Sequence, residues 1–324
     1  MAKPVLSDPR FFSEEAAFEY VEAELWPNGP VCPHCGATAD HIGRLEGVRS
    51  KPSKKHPEGI VQAGLRKCYA CRQPFTVRKG TIFEDSHLPL HMWLQAIHML
   101  CASKKGLSTR QLQRMLRCGL KTAWFLGHRI REAMTEYRGI FTDPIGGAGK
   151  IVEVDETYVG RKADSKAFLP PAVKQPVFAL VERKGKVSSF HVADTRAETL
   201  RSIMARNISR QSDLMSDEAK TYTYVGHNFA SHSTVKHGEK EYVRGDVYTN
   251  TIEGYFSIFK RGLYGVYQHV SEPHLQRYLS EFDFRYNNRI KLGIDDTRRA
   301  EIALKGVKGK RLTYQTTGSA ASQA

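Results

Sequence analysis

Apolar positions change period several times along the chain. Phe18, Val21 and Leu25 recur at helical spacing behind Ser13, which predicts a short acidic helix over 8–26, N-capped by Ser13 and stopped by "WPNGP". "CPHCG" and "RKCYACRQPFTVRKGTIF" follow, tight turns with β-rich flanks that predict two hairpin knuckles. Helical periodicity begins at "LPLHMWLQAIHMLCASKKG". The next stretch, "LSTRQLQRMLRCGLKTAWFLGHRIREAM", reads as helix, turn with Gly119, and second helix. "TDPIGGAGK", residues 142–150, is the clearest linker.

Beyond it the period shortens. "IVEVD", "VFALVER", "VSSFHVA", "DLMSD" and "STVKH" suit strands. "AETLRSIMARNI", "AKTYTYV", residues 250–265 and "SEPHLQRYLSEFDFRYNNR" suit helices. The tail "TYQTTGSAASQA" is small and polar and predicts disorder.

Charge sharpens this picture. The 324 residues carry a formal net charge of +15, and residues 51–138 hold 17 Lys/Arg against 5 Asp/Glu. A surface that basic favours polyanions, and the concentration in one segment points to phosphates there. In the second helix of the pair, Lys121, Arg129 and Arg131 are the candidate phosphate contacts, because a helix-turn-helix lays that helix in the major groove. A packed connector with a solvated basic face has the same pattern. No run of about 18 apolar residues occurs, and the N-terminus lacks the features of an export signal, so no membrane association and a cytoplasmic location are expected.

The six cysteines include Cys32, Cys35, Cys68 and Cys71, two C-x-x-C pairs separated by 32 residues. A C-x-x-C knuckle supplies two thiolates, and two knuckles complete a tetrahedral zinc site. The long gap holds a basic insertion, "RSKPSKKHPEG". His34, His41 and His56 are possible substitutes for a thiol, whereas Cys101 and Cys118 sit on apolar helical faces as core residues.

Three acids stand out by placement. Asp155 ends the strand "IVEVD" and Asp217 ends "DLMSD", so both leave one edge of a sheet. Glu253 follows Asp217 after 35 residues, room for a short helix, a strand and entry into the next helix. Phosphodiester chemistry with two Mg²⁺ (or Mn²⁺) ions needs hard oxygen ligands that leave positions open for substrate, which three carboxylates provide. Lys260 is seven residues after Glu253, on the same helix face, and with Arg261 it is a candidate DNA contact. Glu153 shares the strand face of Asp155, whereas Glu156 and Glu218 should face away.

Taken together, "CPHCG", "RKCYACRQPFTVRKGTIF", "KTAWFLGHRIREAM", "VEVDETYVG", "MSDEAKTY", "NTIEGYFSIFKRGLYGVYQHV" and "HLQRYLSEFDFRYNNR" resemble the zinc-ribbon DDE transposases of bacterial insertion sequences, specifically the ISXO-like group, over nearly the whole chain. The resemblance implies an RNase H-like catalytic domain in which Asp155, Asp217 and Glu253 are the acidic triad, Lys260 is the downstream basic residue, and Asn250 supports the site. Tyr248 stands where relatives often carry His. The implied architecture is multidomain, α+β with an α/β part: an N-terminal helix (1–26), a zinc ribbon (27–85), a helix-turn-helix DNA-binding region (86–141), the linker (142–150), the RNase H-like mixed-sheet domain (151–305) and a basic, polar tail (306–324). It implies cleavage at insertion-sequence ends, strand transfer of the 3′-OH into target DNA, terminal inverted repeats as partners, a homodimer or larger synaptic complex, and association with the nucleoid. A structure-specific or RNase H-type nuclease, and a non-catalytic DNA-binding regulator, are the alternatives.

Overall fold

The computed structural model describes residues 3–54, 56–136, 144–160, 174–219, 221–222, 226–235 and 243–313. The chain divides into two compact units: Met1–Ser103, Leu107–Met134 and Gly293–Ala324 form one, Lys104–Gly106 and Thr135–Leu292 the other.

In the first unit, helix α1 (Glu14–Leu25) begins where Ser13 accepts a hydrogen bond from the Ala16 amide, the cap that the sequence predicts. It buries Ala17, Phe18, Val21 and Leu25. Strands β1 (Ile42–Arg44), β2 (Arg66–Cys68) and β3 (Pro74–Phe75) form a small antiparallel sheet. The basic insertion lengthens the β1–β2 hairpin, with backbone pairing through Arg49 and Val61. Helix α2 (Leu90–Ala102) buries Leu90, Trp93, Ile97 and Leu100. Helices α3 (Thr109–Leu116) and α4 (Leu120–Met134) are the predicted pair, and α3 ends on Arg117 in the left-handed region (φ 50°).

The second unit is built on a five-stranded mixed sheet of β4 (Ile151–Val159), β5 (Gln175–Glu182), β6 (Val187–His191), β7 (Asp213–Asp217) and β8 (Ser231–Val235), in the order β6-β5-β4-β7-β8. The first three strands form an antiparallel meander; β7 and β8 run parallel to β4. This is the RNase H-like arrangement. Alternation along the strands splits the core. Val152, Val154, Phe178, Leu180 and Leu214 face helix α5 (Ala197–Asn207) through Leu200 and Met204. Val159, Val177, Ala179 and Val181 face helices α6 (Asn250–Gly262) and α7 (Leu275–Asn287) through Ile252, Phe256, Phe259 and Phe282. Gly262 permits that packing, since a Cβ there would stand 2.4 Å from the Phe282 ring. A short ribbon, β9 (Val243–Arg244) and β10 (Val247–Tyr248), leads into α6.

The outer edge of β6 is closed by side chains of α7. Asn287 bonds both the N–H and C=O of Val187 (2.7 and 3.0 Å), Asp283 accepts from the Ser189 amide (2.8 Å), and Gln276 accepts from the His191 amide (2.8 Å). An open edge is a template for unwanted pairing. The polar residues of "HLQRYLSEFDFRYNN" prevent it.

Two boundaries differ from those read in the sequence. The last helix, α8 (Asp296–Lys305), belongs to the first unit: the nearly buried Arg299 donates to the Cys101 carbonyl at the end of α2 (2.9 Å). Of the linker, residues 144–150 are described and are built into the second unit. Ile145 is buried and exchanges backbone hydrogen bonds with Asn207 and Ser209, and a Cβ on Gly146 (φ 90°) would collide with Ser212. Its glycines serve close packing. The helix predicted at 219–225 and the strand at 233–237 lie partly outside the described residues, as does the tail from 314 on.

Candidate catalytic centre and zinc ribbon

The four cysteines meet. Their sulfurs lie within 4.8 Å of one another, with Cys32–Cys71 and Cys35–Cys68 both at 3.7 Å. Each knuckle closes in the same way, the residue after its second cysteine adopting positive φ: Gly36 at 77° and Arg72 at 64°. The backbone turns the chain back through Cys32 N–H to Ala37 O (2.8 Å) and Cys68 N–H to Gln73 O (3.0 Å). Four soft donors converging from two knuckles fit a tetrahedral ion, and this is a structural zinc site. Helix α1 is tied to it, Glu22 taking both Nε and Nη2 of Arg66 (3.2 and 2.5 Å). None of the described histidines joins the cluster.

The acids are assembled by the larger topology. In the parallel β4–β7 pair, Ile151 faces Asp213 and Glu153 faces Met215; the same register continued by two residues sets Asp155 beside Asp217. Asp217 is the last residue of β7, but Asp155 does not end its strand as the sequence reading expects: β4 runs four residues past it to Val159, because Glu156–Val159 keep pairing with β5. Both acids lie on the face covered by α6. Asp217 caps the turn that follows, accepting from the Ala219 amide (3.0 Å). Glu253 stands in the first turn of α6, exposed, where the helix dipole favours an anion, and accepts a hydrogen bond from Thr249 Oγ1 (3.1 Å).

Electrostatics tie these groups together. Burial pushes Asp155 up to about 7, and the negative charges of Glu156, Asp217 and Glu253 push the same way against one opposing bond from the Glu156 amide. Glu156 does lie on the opposite face of β4, as alternation requires. It still acts on the centre: it is half-buried, accepts a hydrogen bond from the buried Tyr222 hydroxyl, and is itself raised by burial. A partly desolvated set of like charges with oxygen donors fits hard divalent cations, which relieve the repulsion. Asp155, Asp217 and Glu253 are the residues that would hold them, although among the described residues only the four cysteines already bring their ligand atoms within reach of one ion.

The other candidates divide. Asn250 opens α6 and is exposed, while Lys260 and Arg261 lie in its last turn, the first half-buried and the second exposed. Lys121 is exposed in the first turn of α4. Arg129 and Arg131 do not fit a phosphate-contact role. They are 4% and 2% exposed, and Arg129 spends its guanidinium inside the unit, donating to the carbonyls of Glu84 (3.0 Å) and Leu312 (2.9 Å). Their helix turns that face inward, a fact hidden by the high Arg content. The exposed cations of the helix pair are Arg110, Arg114, Arg117 and Lys121. Sequence reasoning noted Glu153 only as a neighbour of Asp155. The structure buries it completely and gives it Arg183, whose nearness in space no local spacing signals.

A four-thiol ribbon, a helix pair and an RNase H-like sheet gathering acids at one end define a multidomain protein of the transposase class. Residues 147–287 match the ISXO2-like transposase domain and residues 12–74 the transposase zinc-ribbon domain, so the chain belongs to this family of transposases. The ribbon match includes α1, in keeping with the Glu22–Arg66 pair. An uncharacterized protein in transposable element ISH50 of Halobacterium salinarum is 28% identical over 294 residues, spanning 85% of this chain and 91% of that protein. Two solved structures are also similar in part. A chain of the simian T-cell lymphotropic virus intasome in complex with PP2A regulatory subunit B56 gamma is 13% identical, at TM-score 0.28 over 53% of this chain and 66% of the other. The Mos1 transposase paired-end complex with left transposon end is 11% identical, at TM-score 0.26 over 66% of this chain and 74% of the other. Neither bears on the site. No described helix is long and apolar enough to cross a membrane.

Proposed function

We propose that this transposase cuts DNA at the ends of its element and joins the freed 3′-OH to target DNA at one centre formed by Asp155, Asp217 and Glu253. What supports the reading is that Asp217 on β7 and Glu253 on α6 lie near enough to Asp155 on β4 for their charges to act on it, burial and these acids together raising Asp155 to about 7. With two Mg²⁺ (or Mn²⁺) ions bound, such a centre has Lewis acids for the scissile phosphate and for the attacking and leaving oxygens. The residues supply the rest. Asp155 and Asp217, side by side on one strand pair, offer oxygens toward a shared position; Glu253 closes the set from the helix; Lys260 and Arg261 meet substrate phosphates farther along α6. Asn250, at the mouth of α6, supports the carboxylates.

Lys121 and the ribbon's basic hairpin bind the terminal inverted repeats ahead of the chemistry. Because two ends must be processed together, the working form is a homodimer or larger synaptic complex, and its place is the cytoplasm, on the nucleoid.

Incubating the full-length protein with Mg²⁺ and a duplex bearing the element's terminal repeat tests the reading. The expected products are 3′-end nicks followed by joined molecules. Cleavage without joining on every duplex would instead indicate a nuclease, and binding with no cleavage would indicate a regulator.

A further inference from the structure

We propose that Glu153 and Arg183 are positioning residues that set the distance between the metal-binding carboxylates by clamping the start of α6 to β4; the inference rests on Asp155, Asp217 and Glu253 being the cation ligands. Glu153 is fully buried, and its carboxylate receives three donors: Arg183 Nε (2.6 Å), Thr251 Oγ1 (2.8 Å) and the Ile252 amide (2.9 Å). Two of the three come from the first turn of α6. A helix's first amides have no intrahelical partner, and a cap residue's side chain normally serves one of them. Here the cap residue, Thr249, makes no such bond and turns its hydroxyl to Glu253. Glu153, on another element, serves the amide instead. The residue immediately after Ile252 is Glu253, and two residues after Glu153 on the same strand face is Asp155.

Arg183 extends the clamp to the chain entering α6. Its two terminal nitrogens donate to the carbonyls of Asp246 (2.8 Å) and Tyr248 (2.7 Å), and its guanidinium lies 3.5 Å from the centroid of the Tyr248 ring. Two side chains, one on β4 beside Asp155 and one directly after β5, thus tie residues 246–252 to the sheet. A buried ion pair is a poor source of net stability, because desolvation offsets the attraction. What this pair supplies is placement. Groups behind metal ligands orient them, and their loss weakens metal affinity by about 10–100-fold.

The test uses the zinc-loaded full chain and compares Glu153→Gln, Arg183→Lys and Thr251→Val with wild type in Mn²⁺ binding, read by the paramagnetic signal of free Mn²⁺, in hydrogen exchange of the segment 250–254, and in thermal midpoint. For Glu153→Gln the expectation is Mn²⁺ affinity lowered by at least about tenfold, faster exchange at 250–254, and cleavage partly restored by added Mn²⁺. Arg183→Lys and Thr251→Val should shift the same way by less. Faster exchange with Mn²⁺ affinity within about twofold of wild type would reduce the pair to a structural tie, and unchanged exchange would remove the clamp. Should Glu153→Gln fail to fold, unaltered Mn²⁺ affinity in both milder variants would overturn the proposal. Asp155→Asn and Glu253→Gln are measured alongside: if they too keep wild-type Mn²⁺ binding, the ligand assignment fails first, and that failure is distinguishable from loss of the clamp alone.

Discussion

The zinc ribbon and the proposed cation centre are built in opposite ways. In the ribbon each pair of ligands is three residues apart, and the turn that joins them also aims them, so local geometry sets most of the site. The four sulfurs stand together through backbone bonds that any short knuckle can make. In the second unit the proposed ligands come from two strands and a helix and are brought into one neighbourhood by sheet register and helix docking. Burial first, and then the neighbouring carboxylates, push Asp155 up to about 7. A locally encoded site can be a folding element. A site assembled from distant residues must be held by the rest of the fold, and Glu153 and Arg183 are part of that support.

The largest effect expected from breaking this contrast is on chemistry. Asp155→Asn or Asp217→Asn should reduce cleavage of an element-end duplex by about a thousandfold or more while leaving duplex binding intact, since a ligand is lost and the fold is kept. Gel assays of nicking and of binding on the same preparation check both halves.

Next comes the ribbon. Zinc chelation or Cys32→Ser should unfold the knuckles, cost the ribbon several kcal/mol of local stability and weaken end binding, because metal binding to such a site is folding free energy. The second unit should retain its thermal transition. Loss of both transitions together would mean that the two units do not fold independently.

A smaller effect distinguishes strain from support. Asp155 holds its proton more tightly in the folded protein than in the unfolded chain, where a carboxyl titrates near about 4. Between about pH 4 and 7 the folded state therefore carries the extra proton, so stability without added divalent ions should fall as pH rises through that window and level off above it. Asp155→Asn removes this penalty and should stabilise the metal-free second unit by on the order of 4 kcal/mol at pH 7.5. Calorimetry at several pH values checks the sign. A destabilised variant would show that the carboxylate is needed for packing.

The smallest effects separate surface from interior cations. Lys121→Ala should lower the salt dependence of DNA binding by about one unit for one lost phosphate contact. Arg129→Ala should leave that slope unchanged and instead lower the thermal midpoint of the first unit, because it strips donors from two carbonyls.

Much of this was legible in the sequence. Ser13 as a cap, the strand "DLMSD", the Asn250 helix and the thiol ribbon are local signals, and each is found where its pattern puts it. What escaped is non-local. Nothing in "RIREAM" states that Arg129 points inward; that depends on the Glu84 and Leu312 carbonyls that receive it. The glycines of "IGGAGK" look like a linker until Ser212 packs against one of them. The final helix has the periodicity of any amphipathic helix, and only its packing on α2 assigns it to the first unit. Glu153 was visible as a face-sharing acid, but its partners lie 30 and about 100 residues away.

Whether the three acids form one cation centre is tested most directly by Mn²⁺ titration of the zinc-loaded chain, with proton release measured at pH 7 and at pH 8.5. With Asp155 near its midpoint at pH 7, binding should saturate at two ions and expel about half a proton per chain from that carboxyl, should expel almost none at pH 8.5, and should be lost in Glu253→Gln. Saturable binding that is equally tight in Asp155→Asn and Glu253→Gln, with no proton released at either pH, would contradict it.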